Sequence, residues 1–200
     1  MKTINIILWT PCMPDRKEQI LDIAEELLQT RSFSAFSYQD VSDRIGISKA
    51  TIHHHFPSKD ALILALVIRY RTSLISTLEK ITQEHATPWK QLEAYTLLVS
   101  QVMQSGHKIC LTGSLQSEYE IIANGTRQEL ANVCSFVHTW ISRLLAEGKN
   151  QHVMTFPGSP EDQASLIQAA LQGALQQARA HGPKQFTTVV RQIKAMLKTT

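Results

Sequence analysis

The run SYQDVSDRIGISKATIHHHFPSK, residues 37–59, decides how this chain reads. Val41 and Ile45 stand four apart and share one face of a helix predicted over Tyr38–Ile45. Gly46 falls where the chain must turn, because glycine takes a positive φ without steric cost. Ile47 is an apolar anchor beside the turn, and Ser48 is an N-cap for a second helix predicted over Lys49–His55. Ile52 is the apolar residue of that helix able to reach back to Val41 and Ile45. Ser42 is small enough for two helices to cross just above the turn. A small residue, a glycine four later and an aliphatic residue six after that is the spacing of a DNA-binding helix-turn-helix.

With Ile52 inward, Lys49, Ala50, Thr51, His53, His54 and His55 are left for the other faces, and no acidic residue occurs between Ile45 and Ser58. Hydroxyl and imidazole groups can bond phosphates or base edges, and Lys49 supplies fixed charge. Ser37, Tyr38 and Gln39, at the entry to the first helix, complete the candidate contact set together with Lys59. Pro57 ends the second helix and Ser58 caps a third that begins at Lys59. A lysine in a first turn opposes the helix dipole, but it is favoured when a phosphate sits there. The three consecutive histidines diverge by about 100° each around a helix and cannot converge on one ion. No metal and no cofactor is expected.

Residues 17–66 resemble the N-terminal DNA-binding domain of TetR-family transcriptional regulators. The matching runs are ILDIAEELL and FSYQDVSDRIGISKATIHHHFPSKDAL. Three positions depart from the usual pattern: His53 where tyrosine is commonest, Ser42 where alanine is, and Ser32 where glycine usually ends the first helix. The resemblance implies an all-α fold in two parts, a helix-turn-helix head and a helical effector-binding body that dimerises through a four-helix seam. It also implies a partner in double-stranded DNA, at a pseudopalindromic operator read by two heads. In the body, HKICLTGSLQSEYE (107–120) resembles the C-x-x-G-x-L-x-x-E segment of the subgroup containing the N-ethylmaleimide-responsive repressor, some members of which sense electrophiles with this cysteine.

The chain has 200 residues, a net charge of +3 and 43% hydrophobic residues, enough to fill a sizeable core. Residues 1–60 are not basic, because their aspartates and glutamates offset the lysines and arginines, so DNA binding must rest on a local edge. Cys12, Cys110 and Cys134 are too widely spaced for a disulfide framework or a zinc site, which fits a reducing cytoplasm. The opening INIILW run is too short to span a membrane. Residues 1–14 are read as an arm, 15–60 as the head and 61–200 as the body.

Ile20, Ile23, Ala24, Leu27 and Leu28 mark a first helix, which Asp15 can cap with Glu18 three residues later. Leu62 to Ile81 carry an apolar stripe along a long helix from Lys59 to about Glu84. A further helix runs from Pro88 to about Met103, and a less regular stretch, broken by Gly106 and Gly113, reaches Asn124. Asn124-Gly125 reads as a turn, followed by a helix over about 126–147 that Gly148 closes. Two last helices, about 160–181 and 183–198, flank His181-Gly182-Pro183, and only 152–156 is ambiguous for strand.

Ala170, Gly173, Ala174 and Ala178, with Phe186, Val190, Ile193 and Leu197, form the candidate dimer seam or else pack on their own core. Cys110 is either an electrophile sensor, with His107 and Lys108 nearby to favour a thiolate, or a small core residue. Cys134 reads as core. Tyr95, Met103, Tyr119, Phe136, His138 and Trp140 are candidates for an apolar effector cavity. The resulting reading is a homodimeric repressor released by a small-molecule or electrophile effector, with no membrane role. Its rivals are a nucleoid-associated or division-control protein of the same fold, and a helical enzyme or carrier with an incidental head. No phosphate-binding loop, nucleophile elbow or paired carboxylates support an enzyme.

Overall fold

The computed structural model describes residues 15–104 and 108–198, and among these it has nine α-helices and no strand. In chain order they are α1 (Arg16–Arg31), α2 (Tyr38–Ile45), α3 (Lys49–His55), α4 (Lys59–Glu84) and α5 (Pro88–Gln104). Then come α6 (Leu111–Ser117), α7 (Asn124–Asn150), α8 (Pro160–His181) and α9 (Lys184–Leu197). The expected arm, with Cys12, lies outside the described residues, as do Gly106 and His107.

Side-chain caps set most of the starts. The Asp15 carboxylate accepts from the N–H of Lys17, and Ser37 and Asp40 form a reciprocal capping box on α2. Ser48, Ser58 and Ser159 each accept from the backbone N–H three residues on, opening α3, α4 and α8. Gly46 ends α2 in the left-handed region at φ 75°, ψ 37°. Ser42 does more than stay small, because its hydroxyl donates to the Ile47 carbonyl at 2.5 Å and ties the turn. Ser32, where a glycine was the family's usual choice, adopts a glycine-like backbone at φ 76°, ψ 169°.

Two hydrophobic cores form. The first joins Ile20, Leu27, Val41, Ile52, Phe56, Leu62 and Leu66 to Leu111, Leu115, Leu130 and Val133. The apolar interior of the head therefore does not stop at residue 60: it takes in the start of α4, α6 and the first half of α7. The second core packs Leu78, Leu92, Ile141, Leu145, Ile167 and Leu171 with Phe186, Ile193 and Leu197. Leu74 touches both. Helix α4 is long and apolar enough by composition to cross a membrane, yet Leu62, Ile63, Leu66, Val67, Leu78 and Ile81 are buried in these cores.

Two local readings are corrected. Asn124-Gly125 is not a turn between elements, because α7 begins at Asn124 with Ala123 as its N-cap. Gly148 does not close that helix, which continues to Asn150. The buried Met154 side chain lies across Gly148, where a Cβ would stand 2.6 Å from the Met154 sulfur, so close packing places the glycine here. The stretch 152–156 makes one isolated antiparallel bridge, Met154 to Lys198, and the Thr155 N–H donates to Leu197 O at 3.0 Å.

Gly148→Ala should gain about 1 kcal/mol in helix propensity but lose about 1–3 kcal/mol by overpacking Met154. We expect a net loss on the order of 1 kcal/mol, read in thermal unfolding as a Tm lower by about 2–4 °C. A Tm at or above the wild type would mean that Met154 yields freely.

Candidate DNA interface and effector cavity

Helix α3 stands on the head with Ile52 fully buried and Lys49, Ala50, His53 and His54 exposed, while Thr51 and His55 are half-buried. Ser48 Oγ also lies 2.9 Å from Thr51 Oγ1, which fixes the start of the helix. Ser37, the N-cap of α2, and Gln39 in its first turn are exposed, and Gln39 Nε2 donates to Asp43 at 2.5 Å. The His53 ring meets the edge of Tyr38 with centroids 4.8 Å apart, and its Nδ1 lies 3.4 Å from Pro57 O. The surface left to a DNA groove is thus built chiefly from Lys49, Ala50 and His54, with Thr51, Ser37 and Gln39 beside them.

Two of the predicted contacts point elsewhere. Tyr38 is buried and its hydroxyl donates to Phe56 O at 2.9 Å, pinning the end of α3 to α2. Burial and the nearby Asp60 push its pKa up to about 12. The Lys59 ammonium turns into the head and donates to the carbonyls of Phe33 and Phe36, 4.5 and 4.3 Å from the centroids of their rings. Burial lowers its pKa. Lys59 thus holds the α1–α2 loop rather than facing outward for a phosphate.

Between the two cores lies a cavity of about 410 Å³, walled by α1, α4, α5, α6, α7 and α8. Leu98, Val102, Val133 and Leu171 supply apolar wall, and Tyr70, Ser73, Thr77, Gln168 and Gln172 supply polar groups. Of the predicted effector residues, Cys110 and Tyr95 line it. Burial raises the pKa of both Tyr70 and Tyr95, with Cys110 the next influence on each. Cys110 is half-buried at the N-cap of α6, its sulfur 3.1 Å from Thr112 Oγ1. Cys134 is not sealed in core either: it is half-buried on the same wall, takes a bond from Gln116 Nε2 at 3.3 Å, and has its thiol pKa pushed up by burial.

The other candidates lie off this cavity. Met103 packs against the second core. Tyr119 is exposed and stacks on the Arg127 guanidinium. Phe136 and Trp140 line a separate groove between α4, α5 and α7, and His138 Nε2 lies 3.0 Å from Glu161 O on α8. Sequence reasoning missed Tyr70, Ser73, Thr77, Gln168 and Gln172. Their signal was polar residues at helical spacing inside otherwise apolar stripes.

The dimer candidates divide as well. Ala174, Ala178, Phe186, Ile193 and Leu197 are buried in the protomer's own second core, because α8 and α9 pack on each other along that face. Ala170 and Val190 are half-buried, and Gly173 is exposed with nothing within 4 Å of a Cβ built on it.

Residues 20–66 match the profile of the bacterial regulatory proteins, tetR family. The HTH-type transcriptional repressor NemR of Escherichia coli (strain K12) is 26% identical over 168 residues, covering 82% of this chain and 84% of that protein. The nucleoid occlusion factor SlmA of Aliivibrio fischeri (strain MJ11) is 23% identical over 169 residues, covering 82% of this chain and 84% of that protein. The crystal structure of a TetR-family transcriptional regulator from Agrobacterium tumefaciens superposes with a TM-score of 0.88 at 28% identity, over 92% of this chain and 97% of that one.

Removing the Lys59 ammonium leaves two loop carbonyls without their donor. Lys59→Met should destabilise the protein by about 1–3 kcal/mol in denaturant unfolding. The slope of log affinity for DNA against log salt should stay unchanged. A slope shallower by about one unit at unaltered stability would return Lys59 to the phosphate contacts.

Proposed function

We propose that the chain, whose residues 20–66 match the TetR-family profile, is a DNA-binding transcriptional regulator of that family, a homodimeric repressor released from a pseudopalindromic operator by a molecule entering the inter-core cavity. Regulators of this family bind DNA and act as dimers, and they are not enzymes. The observation that carries the reading is the pairing of an acid-free, outward-facing α3 with a cavity that separates the head's core from the body's. Filling that cavity can favour one setting of the head over another only if the ligand binds the two settings unequally. Selection from random DNA should return two inverted half-sites. Recovery of a single unsymmetrical site would overturn the two-head arrangement. Genome-wide occupancy at a few promoters supports a repressor, and many dispersed sites would support a role like that of a nucleoid occlusion factor.

The seam proposed for the dimer uses the faces of α8 and α9 left open by the protomer. These carry Leu166 and Met196, both about half exposed, with Gly173 between them in helix order. A mid-helix glycine with no neighbour costs about 1 kcal/mol relative to alanine, which is understandable if a partner helix approaches there. Gly173→Glu should give monomers in sedimentation, since a charge buried without a partner costs several kcal/mol. A dimer that persists places the seam elsewhere.

Two thiols on one cavity wall also suit a thiol-reactive effector. A Cys110 thiolate would add across the double bond of N-ethylmaleimide, forming a thioether while solvent supplies the proton. Treatment should release wild-type protein from its selected operator, and Cys110→Ser should bind DNA yet stay bound after treatment. Release of Cys110→Ser to the same extent would exclude Cys110 as the responding group.

A further inference from the structure

The loop joining α1 to α2 is gripped by the body as well as by Lys59. Glu118, the residue that closes α6, accepts from the N–H of Phe33 at 2.5 Å, from the N–H of Ser34 at 3.2 Å and from the Ser34 hydroxyl. Burial pushes its carboxyl pKa up, and bonds from Ser34, Phe33 and Ser32 outweigh this and hold it below the usual range. The same segment also touches α1: Ser114 Oγ on α6 donates to Leu28 O, and Ile109, just before α6, donates its N–H to Gln29 O, both at 2.9 Å. Its Leu111 and Leu115 sit in the head's core, while Cys110 at its other end lines the cavity. Seven residues of helix span about 10 Å, so α6 is a strut from the cavity wall to the head loop.

We propose that Glu118 is a positioning residue for DNA recognition: its carboxylate fixes the angle at which the body presents α3, so that the two heads of a dimer fit half-sites at one spacing. This rests on the two-head reading above. A carboxylate suits the task because both of its oxygens accept, and consecutive N–H groups then set distance and direction together. A glutamine of equal size turns one of those acceptors into a donor facing donors. An aspartate keeps the charge but is shorter by one methylene.

The test uses the full-length protein and the operator selected by the wild type, with spacers lengthened or shortened by one or two base pairs. Wild-type protein should discriminate against altered spacers by about 30-fold or more, and Glu118→Gln by less than about threefold, with single half-site affinity kept within about twofold. Glu118→Asp should fall between them. A residue that only stabilises the fold would weaken binding to every spacer alike. An unchanged discrimination ratio in Glu118→Gln therefore overturns the proposal.

Should that variant fail to fold, Ser34→Ala removes only the hydroxyl contact and should shift the ratio the same way by less; no shift overturns the proposal. A second measurement needs no DNA. Spin labels at Asp43→Cys on the head and Gln151→Cys on the body, with native cysteines replaced by serine and labelled subunits diluted in unlabelled ones, report the distance within one protomer. Glu118→Gln should broaden that distance distribution, and an unaltered distribution overturns the proposal. Wild-type protein that selects only single half-sites would remove the two-head reading, and the distance measurement would then decide on the clasp by itself.

Discussion

One unbroken helix has to serve two hydrophobic cores. Over its 26 residues, about 39 Å, α4 buries Leu62, Ile63, Leu66 and Val67 in the first core and Leu78 and Ile81 in the second. Between them it presents Tyr70, Ser73 and Thr77 to the cavity. Sharp helix kinks need a proline, a π-bulge or an inserted group, and α4 has no proline. The two cores are thus held apart by a rod, and the space left beside its middle is the cavity. Helix α1 is fixed to the same rod by Arg69, which pairs with Glu18, Asp22 and Glu25 at 3.0, 2.7 and 2.8 Å. Burial opposes that guanidinium's charge, and the three carboxylates more than offset it. Glu25 also reaches the cavity wall, so a ligand there would meet the ion set that seats α1 on α4.

What was legible in the sequence is what local physics decides. The α2–turn–α3 unit follows from Gly46, Ile52 and the caps at Ser37 and Ser48, all acting within a few residues. The directions of Tyr38 and Lys59 did not follow, because polarity says that a group needs a partner and not where the partner is. Tyr38 finds its acceptor 18 residues away, and Lys59 finds its acceptors 23 and 26 away. Gly148 carries a helix-ending signal that a tertiary contact with Met154 overrides. The alanines of α8 repeat at helical spacing in either kind of seam, so their burial inside the protomer became visible only once α7 and α9 were in place.

The candidate site divides in the same manner. Cys110 and Tyr95 were reached from position and resemblance, and both lie on the cavity wall. Met103, Tyr119, Phe136, His138 and Trp140 were reached from position just as Tyr95 was, and position in a helix is satisfied equally well by core packing, a surface stack, an outer groove or a helix contact. The segment CLTGSLQSE could be read as a pattern but not as a device. In the folded chain its cysteine faces the cavity, its Leu115 enters the head's core and its Glu118 grips the head's loop. Gly113 lies against the α8 glutamines, its Cβ position 3.4 Å from Gln172 Nε2.

The two sides of α6 therefore resist change to different degrees. Toward α1 it is held by buried leucines, whose exposure would cost about 25 cal/mol for each Å² uncovered. Toward α7 and α8 it is held by the Gln116 amide, which accepts from Gln172 Nε2 on α8 and donates to the Cys134 sulfur on α7, while Gln168 Nε2 ties α8 to α7 through Cys134 O. Hydrogen bonds of this kind contribute about 1 kcal/mol each net, and a ligand or water can replace either partner. A molecule in the cavity can thus exchange bonds along the α7–α8 side of α6 while the leucines keep the strut fastened to the head. Movement would then pass from the cavity to α3 without opening the head's core.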